Sequence, residues 1–305
     1  MSEHLGGPAS ENAALEKVVG LIRERSAQRP ASAQERRRQA DRNADVFSVP
    51  VGCAVHEATL GGYPVEWAQP EGLTAAPVVL YFHGGGYTSG SYRSHRHMTA
   101  RLALAAGARV ASVDYPLAPE SPFAAAPEAA LACYKALLAE GVAPDRIAFG
   151  GDSAGGGLAI AALLAAKEHA LPMPAAAICL SPWADLMCAT ETYQSRAAAD
   201  PMITQAAIAE TASVYLAGTD AKNPLASPVY GDLSGLPPLF IQVGDAEVLL
   251  DDARLLAQAV KAHNGRVDIE IWPEMFHVWQ LFYQMLPQGE RALVRLGEYL
   301  RAQLE

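Results

Sequence analysis

Arg146-Ile-Ala-Phe-Gly-Gly-Asp-Ser-Ala-Gly-Gly-Gly-Leu-Ala-Ile-Ala-Ala162 decides the fold. Ile147 to Phe149 is a short apolar run that reads as a buried strand, and from Ala154 a proline-free Ala/Leu run reads as a helix to about His169. Between them lies Gly151-Asp152-Ser153-Ala154-Gly155, a G-x-S-x-G pentapeptide. A strand that turns straight into a helix forces its central residue into a strained backbone conformation, and small neighbours let the flanking chains approach. Ser153 then projects its hydroxyl from the top of a sheet, with the Ala154 amide at the positive end of the helix. The strand–motif–helix order favours a nucleophile over a glycine-rich turn with an incidental serine. A dinucleotide loop fails on spacing, because the glycines do not form G-x-G-x-x-G.

Outward from this turn, strand and helix signals alternate. Val78–Phe82, Arg109–Val113, Ala175–Leu180, Leu239–Val243 and Val267–Trp272 read as strands. Helices are predicted near 95–106, 125–140, 249–262 and 288–304. Such alternation implies an α/β protein with a mostly parallel central sheet and helices on both faces. Residues 53–60 and 63–69 flank Gly61-Gly62, a turn dipeptide suited to a β-hairpin. Residues 11–45 precede the strands, with Leu15, Val18, Val19 and Ile22 on one helical face and a charged helix after Pro30. The expected organisation is an N-terminal helical cap over 1–45 and a catalytic domain over 46–305. Nearly sixty residues separate the Ala175 and Leu239 strands, with a helical stretch near 204–216. An inserted cap segment over about 184–225 should cover the strand ends.

Of the 305 residues, 50% are hydrophobic and 18% charged, which allows a large core. The formal charge of −10 argues against a nucleic-acid partner. Arg36-Arg37-Arg38 reads as a solvated helix face, not a phosphate site. No apolar run reaches the length of a membrane span, and no secretory signal is read at the N-terminus, so no membrane partner and a cytoplasmic location are expected. Cys53, Cys133, Cys179 and Cys188 are scattered, which suggests buried reduced thiols, with neither disulfides nor a metal site.

His83-Gly84-Gly85-Gly86 follows a strand directly. Glycines there allow close backbone approach, so the amides of Gly85 and Gly86, with that of Ala154, can form an oxyanion hole. His83 is expected to fix the loop. A serine nucleophile needs a base and an orienting carboxylate, and in the fold class with this strand–turn–helix serine the chain order is nucleophile, acid, histidine. Of the histidines after Ser153, His169 ends the nucleophile's own helix and His263 sits at a helix C-terminus before a glycine. His277, just past the last strand, is the base by elimination. Asp245, Glu247, Asp251 and Asp252 compete as the acid, although the last two open a helix, where carboxylates favour the macrodipole anyway. Trp183, Tyr193, Met202 and Phe276 are candidate pocket walls or ordinary core.

These motifs in this order resemble the hormone-sensitive-lipase-like bacterial carboxylesterases of the α/β-hydrolase fold, from about residue 76 to the end. The resemblance rests on His83–Gly86, Asp114-Tyr-Pro-Leu-Ala-Pro-Glu120, Gly151–Gly156 and the His277 loop. It implies Ser153 as nucleophile, His277 as base, Gly85, Gly86 and Ala154 as oxyanion donors, and a two-piece cap. Pro116 replaces the family's usual arginine, and Ser121-Pro-Phe-Ala124 its His-Pro-Phe-Pro. The family's acid, commonly the aspartate of Asp-Pro-Leu-x-Asp, aligns with Glu247. The implied activity is hydrolysis of short-chain acyl esters through an acyl-enzyme, without cofactor or metal. A small-lactone hydrolase or an amidase would use the same groups. A non-catalytic receptor, like the gibberellin receptors that have lost this histidine, is disfavoured by His277. Val267-Asp-Ile-Glu-Ile271 alternates apolar and acidic residues as an open edge strand, and relatives commonly dimerise there, so a homodimer through it is expected.

Overall fold

The computed structural model describes residues 9–27, 32–73 and 76–304. The first eight residues of the expected N-terminal piece, and Pro30 ahead of its second helix, lie outside them. In chain order the elements are α1 (Ala9–Ala27), α2 (Ala33–Ala44), β1 (Cys53–Leu60), β2 (Tyr63–Pro70), β3 (Val78–Phe82) and α3 (Tyr92–Ala106). They continue with β4 (Arg109–Val113), α4 (Ala125–Ala139), β5 (Ile147–Asp152), α5 (Ala154–Glu168), β6 (Ala176–Leu180), α6 (Thr192–Ser195) and α7 (Gln205–Leu216). The last are β7 (Leu239–Gly244), α8 (Leu250–Ala262), β8 (Val267–Trp272) and α9 (Pro287–Leu304). The strands form one sheet in the order β1-β2-β4-β3-β5-β6-β7-β8. β2 runs antiparallel to β1 and β4, and all the other pairs are parallel.

Every residue of β3, β5, β6 and β7 is buried, as expected for parallel strands covered on both faces. Alternate side chains go to opposite layers. Val79, Tyr81, Ala148 and Ile178 pack with Met98 and Leu102 of α3 and with Leu293, Leu296 and Leu300 of α9. Val78, Leu80, Phe82, Phe149 and Ile241 pack with Leu131 and Leu137 of α4, Leu158 of α5 and Leu256 of α8. Burying each such large apolar side chain contributes about 1.5–3 kcal/mol. A third cluster joins Val18 and Ile22 of α1 to Trp272, Phe276, Trp279 and Leu286, which docks the N-terminal helix beside the last strand.

The register sets where the chemistry can sit. Phe82 pairs with Gly151, Gly151 with Cys179, and Leu180 with Gln242. The C-terminal ends of four adjacent strands therefore align, so the loops after Phe82, Asp152, Leu180 and Gly244 share one edge. At Gly155 an added Cβ would lie 1.9 Å from the Phe82 carbonyl oxygen, so α5 leaves the turn directly against β3.

Two expectations change. α3 starts at Tyr92, earlier than 95, because Ser91 and Ser94 form a reciprocal capping box. The arginine run on α2 is not merely a solvated face. Arg38 pairs with Glu35, but Arg37 turns inward and donates to the carbonyls of Thr88 (3.0 Å) and Ala118 (2.8 Å). It also grips both Glu120 oxygens, at 3.1 and 2.7 Å. A charge run shows that a helix has a polar face, not what that face meets.

Candidate active site

Ser153 sits at the sharp turn between β5 and α5 with φ 53° and ψ −121°, a positive φ for a residue with a Cβ. Such a conformation costs about 1–3 kcal/mol and persists only when its surroundings over-determine it. Here they do. The Ser153 amide donates to Leu180 O at 2.9 Å, and its carbonyl accepts from Gly156, Gly157 and Trp183 at 3.0, 3.2 and 2.9 Å. The residue borders a cavity of about 620 Å³, together with Gly84, Gly85, Gly86, His277 and residues of α1, α2 and α7.

The loop after β3 forms a tight turn in which the Gly85 carbonyl accepts from the Thr88 and Ser89 amides at 3.2 and 3.0 Å. Gly85 has φ +122°, and a Cβ there would fall 2.1 Å from Ser89 O, so a side chain is excluded. Among the described residues, neither Gly85 nor Gly86 spends its amide on a protein acceptor. Ala154 heads α5, where helix geometry leaves the first amides without intrahelical acceptors.

Asp152, the residue before the serine, ties this loop to the turn at Ser153. One oxygen accepts from Tyr81 Oη (2.9 Å) and the Gly84 amide (3.1 Å), and the other meets His95 Nε2 at 3.2 Å. Burial alone would raise its pKa, but His95 and Tyr81 hold it below the usual carboxylate value. His95 is shifted up in turn, its burial outweighed by Asp152. His83 lies fully buried, stacked on Tyr115 with centroids 4.3 Å apart, and its Nδ1 is 2.8 Å from Gly84 O. Burial, with His95 nearby, lowers its pKa to about 3 and keeps it neutral.

The histidines and carboxylates separate by what they touch. His169 and His263 end α5 and α8, each with Nδ1 2.9 Å from the carbonyl four residues back. His277 Nδ1 lies 2.7 Å from Glu247 Oε2. The second Glu247 oxygen accepts from Ser181 Oγ and the Gly244 amide, both at 2.7 Å. Burial would lower the His277 pKa, but the Glu247 carboxylate outweighs it and raises it. Asp245 instead accepts from the Glu274 amide at 2.7 Å and closes a turn. Asp251 meets the Thr192 amide and Arg254. Asp252 accepts from the Ala184 and Asp185 amides, and its complete burial pushes its pKa well up. Of the four wall candidates, Trp183 and Met202 line the cavity. Tyr193 belongs to the main core, and Phe276 packs in the cluster around Trp272 and Trp279, so neither faces the cavity. Among the described residues, no group of three or more His, Cys, Asp or Glu is arranged to hold a metal ion.

A family model described as the alpha/beta hydrolase fold matches residues 79–281. The chain belongs to the alpha/beta-hydrolase family, in its bacterial hormone-sensitive-lipase branch. A crystal structure of an esterase from that branch superposes with a TM-score of 0.94 at 43% identity, covering 100% of both chains. The acetyl-hydrolase of Streptomyces hygroscopicus is 47% identical over 293 residues, 94% of this chain and 96% of that one. The esterase EstE5, at 42% identity, has been solved after soaking with p-nitrophenyl butyrate (TM-score 0.92, 98% of this chain and 99% of that one). It has also been solved with PMSF (TM-score 0.90, 95% and 98%).

Two residues of this alpha/beta-hydrolase site escaped the reading of the sequence. Ser181 donates to Glu247 and accepts from the Val278 amide at 3.1 Å, so it joins the acid to the histidine loop. Its signal was available: Leu180-Ser181-Pro182 ends a strand beside the nucleophile strand. Asp152 occupies a variable position of the pentapeptide, where the motif itself assigns no role. The capacity of a buried carboxylate one residue from Ser153 for several donors was the clue.

Proposed function

We propose that the chain is a serine carboxylesterase acting on short-chain acyl esters through an acyl-enzyme, with Ser153, His277 and Glu247 as its triad. The observation that carries this reading is the 2.7 Å Glu247–His277 contact beside a cavity that Ser153 and the Gly85–Gly86 turn also border. Ser153 Oγ attacks the ester carbonyl while His277 Nε2 takes its proton. The Gly85, Gly86 and Ala154 amides receive the developing oxyanion, each donor of this kind contributing about 3–4 kcal/mol to the barrier reduction. His277 then protonates the leaving alcohol and activates the water that cleaves the acyl-enzyme. Glu247 keeps the imidazole proton on Nδ1 and stabilises the imidazolium.

A cavity of about 620 Å³ suits a small ester, within the usual range of roughly 300–1,000 Å³ for small-molecule sites. EstE5, soaked with p-nitrophenyl butyrate, supports an acyl group of that size. In this reading α1 and α2, with the 184–225 segment, form the cap, because both contribute residues to the cavity wall. A second copy adds through β8, which pairs with β7 alone among the described strands and leaves Ile271 41% exposed. Four buried, unpaired cysteines fit a reducing cytoplasmic compartment.

The test is a fluorophosphonate probe followed by peptide mapping. Labelling at Ser153, abolished in Ser153→Ala and slowed in His277→Ala, is expected. An unlabelled, folded wild-type protein would overturn the reading.

A further inference from the structure

The cavity is lined mainly by apolar side chains, with a few polar ones among them. Residues 202–211 supply Met202, Ile203, Ala207 and Ile208, a mainly apolar surface for a hydrocarbon chain. α1 and α2 add the apolar Leu21, Ile22, Ala40 and Ala44, and among them the polar Arg25, Gln39 and Asn43. Gln39 and Asn43 are four residues apart, so they share one face of α2. Arg25 lies in the last turn of α1. Arginine there also favours the helix macrodipole, but that would not require it to border a cavity.

What these three have in common is unspent hydrogen-bonding capacity. Arg37, Arg38 and Arg42 of α2 are all paired with carboxylates. Among the described residues, the side chains of Arg25, Gln39 and Asn43 have no hydrogen-bond or ion-pair partner, although all three residues are only partly exposed. Among the described residues that line the cavity, Arg25 is the single Lys or Arg and Asp152 the single carboxylate. The oxygens of Asp152 are committed to Tyr81, Gly84 and His95, so no acidic side chain of the cavity is left to neutralise Arg25. A guanidinium holds a carboxylate through two parallel hydrogen bonds, and side-chain amides can donate to the same group. Partial exclusion of water strengthens that attraction relative to bulk solvent.

We propose that Arg25, with Gln39 and Asn43, forms a subsite for an anionic group carried by the ester, so that the preferred substrates bear a carboxylate away from the scissile carbonyl. This rests on the esterase reading for its chemistry but not for its binding. It also accounts for a cation in the cavity of a chain with net charge −10, whose overall field would repel an acidic substrate.

The experiment compares matched pairs of esters. The 4-nitrophenyl half-ester of adipic acid against 4-nitrophenyl hexanoate places the charge on the acyl side. 4-Acetoxybenzoate against its methyl ester places it on the alcohol side. In at least one pair, Arg25→Gln should lower the anionic-to-neutral ratio of kcat/KM by about tenfold, and Arg25→Lys by less. Arg25→Glu should lower it further. Isothermal titration of the adipate half-ester into Ser153→Ala and into Ser153→Ala/Arg25→Gln reads the same subsite without any turnover. Weaker binding to the double variant supports the subsite even if no ester is cleaved. Ratios within twofold of wild type in both pairs, together with equal affinities in the titration, would overturn it. Loss of neutral-ester hydrolysis by the wild type would instead count against the esterase reading alone.

Discussion

Glu247→Gln is the sharpest probe of the site, because the neighbours of Glu247 dictate how the amide must sit. Glu247 Oε1 accepts two donors, Ser181 Oγ and the Gly244 amide, while Oε2 faces His277 Nδ1 at 2.7 Å. An amide NH₂ turned toward Ser181 and Gly244 would meet two donors, so the amide oxygen must stay there and the NH₂ must face His277. Nδ1 then has to accept a hydrogen bond, which moves the imidazole proton to Nε2, where it cannot receive one from Ser153. A base held in the wrong tautomer lowers kcat by on the order of 10⁴, or about 5.5 kcal/mol in the barrier. The pH profile moves as well. Glu247 raises the His277 pKa above its ordinary value, so in the wild type kcat/KM should fall as pH drops through a value above about 6.5. Without the carboxylate, burial is left to lower that pKa, and the residual acid limb should shift to lower pH. Asp245→Asn is the control: its acceptor for the Glu274 amide survives, and kcat should stay within a few-fold of wild type. The assay is p-nitrophenol release from p-nitrophenyl butyrate, with thermal midpoints for each variant. A folded Glu247→Gln enzyme within tenfold of wild type, or a folded Asp245→Asn enzyme that loses activity, would refute this reasoning.

Other expectations follow from the same geometry. Arg37→Met removes hydrogen bonds to the Thr88 and Ala118 carbonyls and a half-exposed pair with Glu120, which should cost about 2–3 kcal/mol in a denaturant titration. Because Thr88 belongs to the turn around Gly85, kcat should also fall by roughly tenfold or more, and a wild-type kcat would separate α2 from the oxyanion loop. Light scattering at micromolar concentration should give the mass of a dimer, and Ile271→Lys on β8 should yield monomer; a monomeric wild type would remove β8 as an interface. Rates across p-nitrophenyl esters should fall beyond acyl chains of about eight carbons, as steric exclusion overtakes added apolar burial, and equal rates on long-chain triglyceride emulsions would contradict a cavity that limits the acyl chain.

The parts of this protein that were legible in its sequence are those fixed by local pattern. Strand Val267–Trp272 has the bounds its alternation indicates, and α7 begins within one residue of its expected start. The turn at Ser153 was readable because strain, small neighbours and a following helix occur together in one short segment. Contacts made across the sheet were not readable. Ser181 reaches Glu247 only because β6 lies between β5 and β7 with their ends aligned. Asp152 meets Gly84 because Phe82 pairs with Gly151. The sequence left four carboxylates competing to pair with the histidine, and the resemblance to relatives favoured Glu247. In the structure, what each competitor touches separates them. Asp245 closes a turn, Asp251 and Asp252 bind the 184–192 segment, and Glu247 meets His277. Tyr193 and Phe276 show the same limit from the apolar side. Aromatic character marks a residue for burial, but whether it lines a cavity or fills a core depends on which layer its backbone faces. Arg37 and Arg25 extend it to charge: two cations on neighbouring helices, one spent holding a loop and one left facing the cavity. Residue type and periodicity settle where the backbone goes. The partner of each polar group is settled only once strand order and register are known.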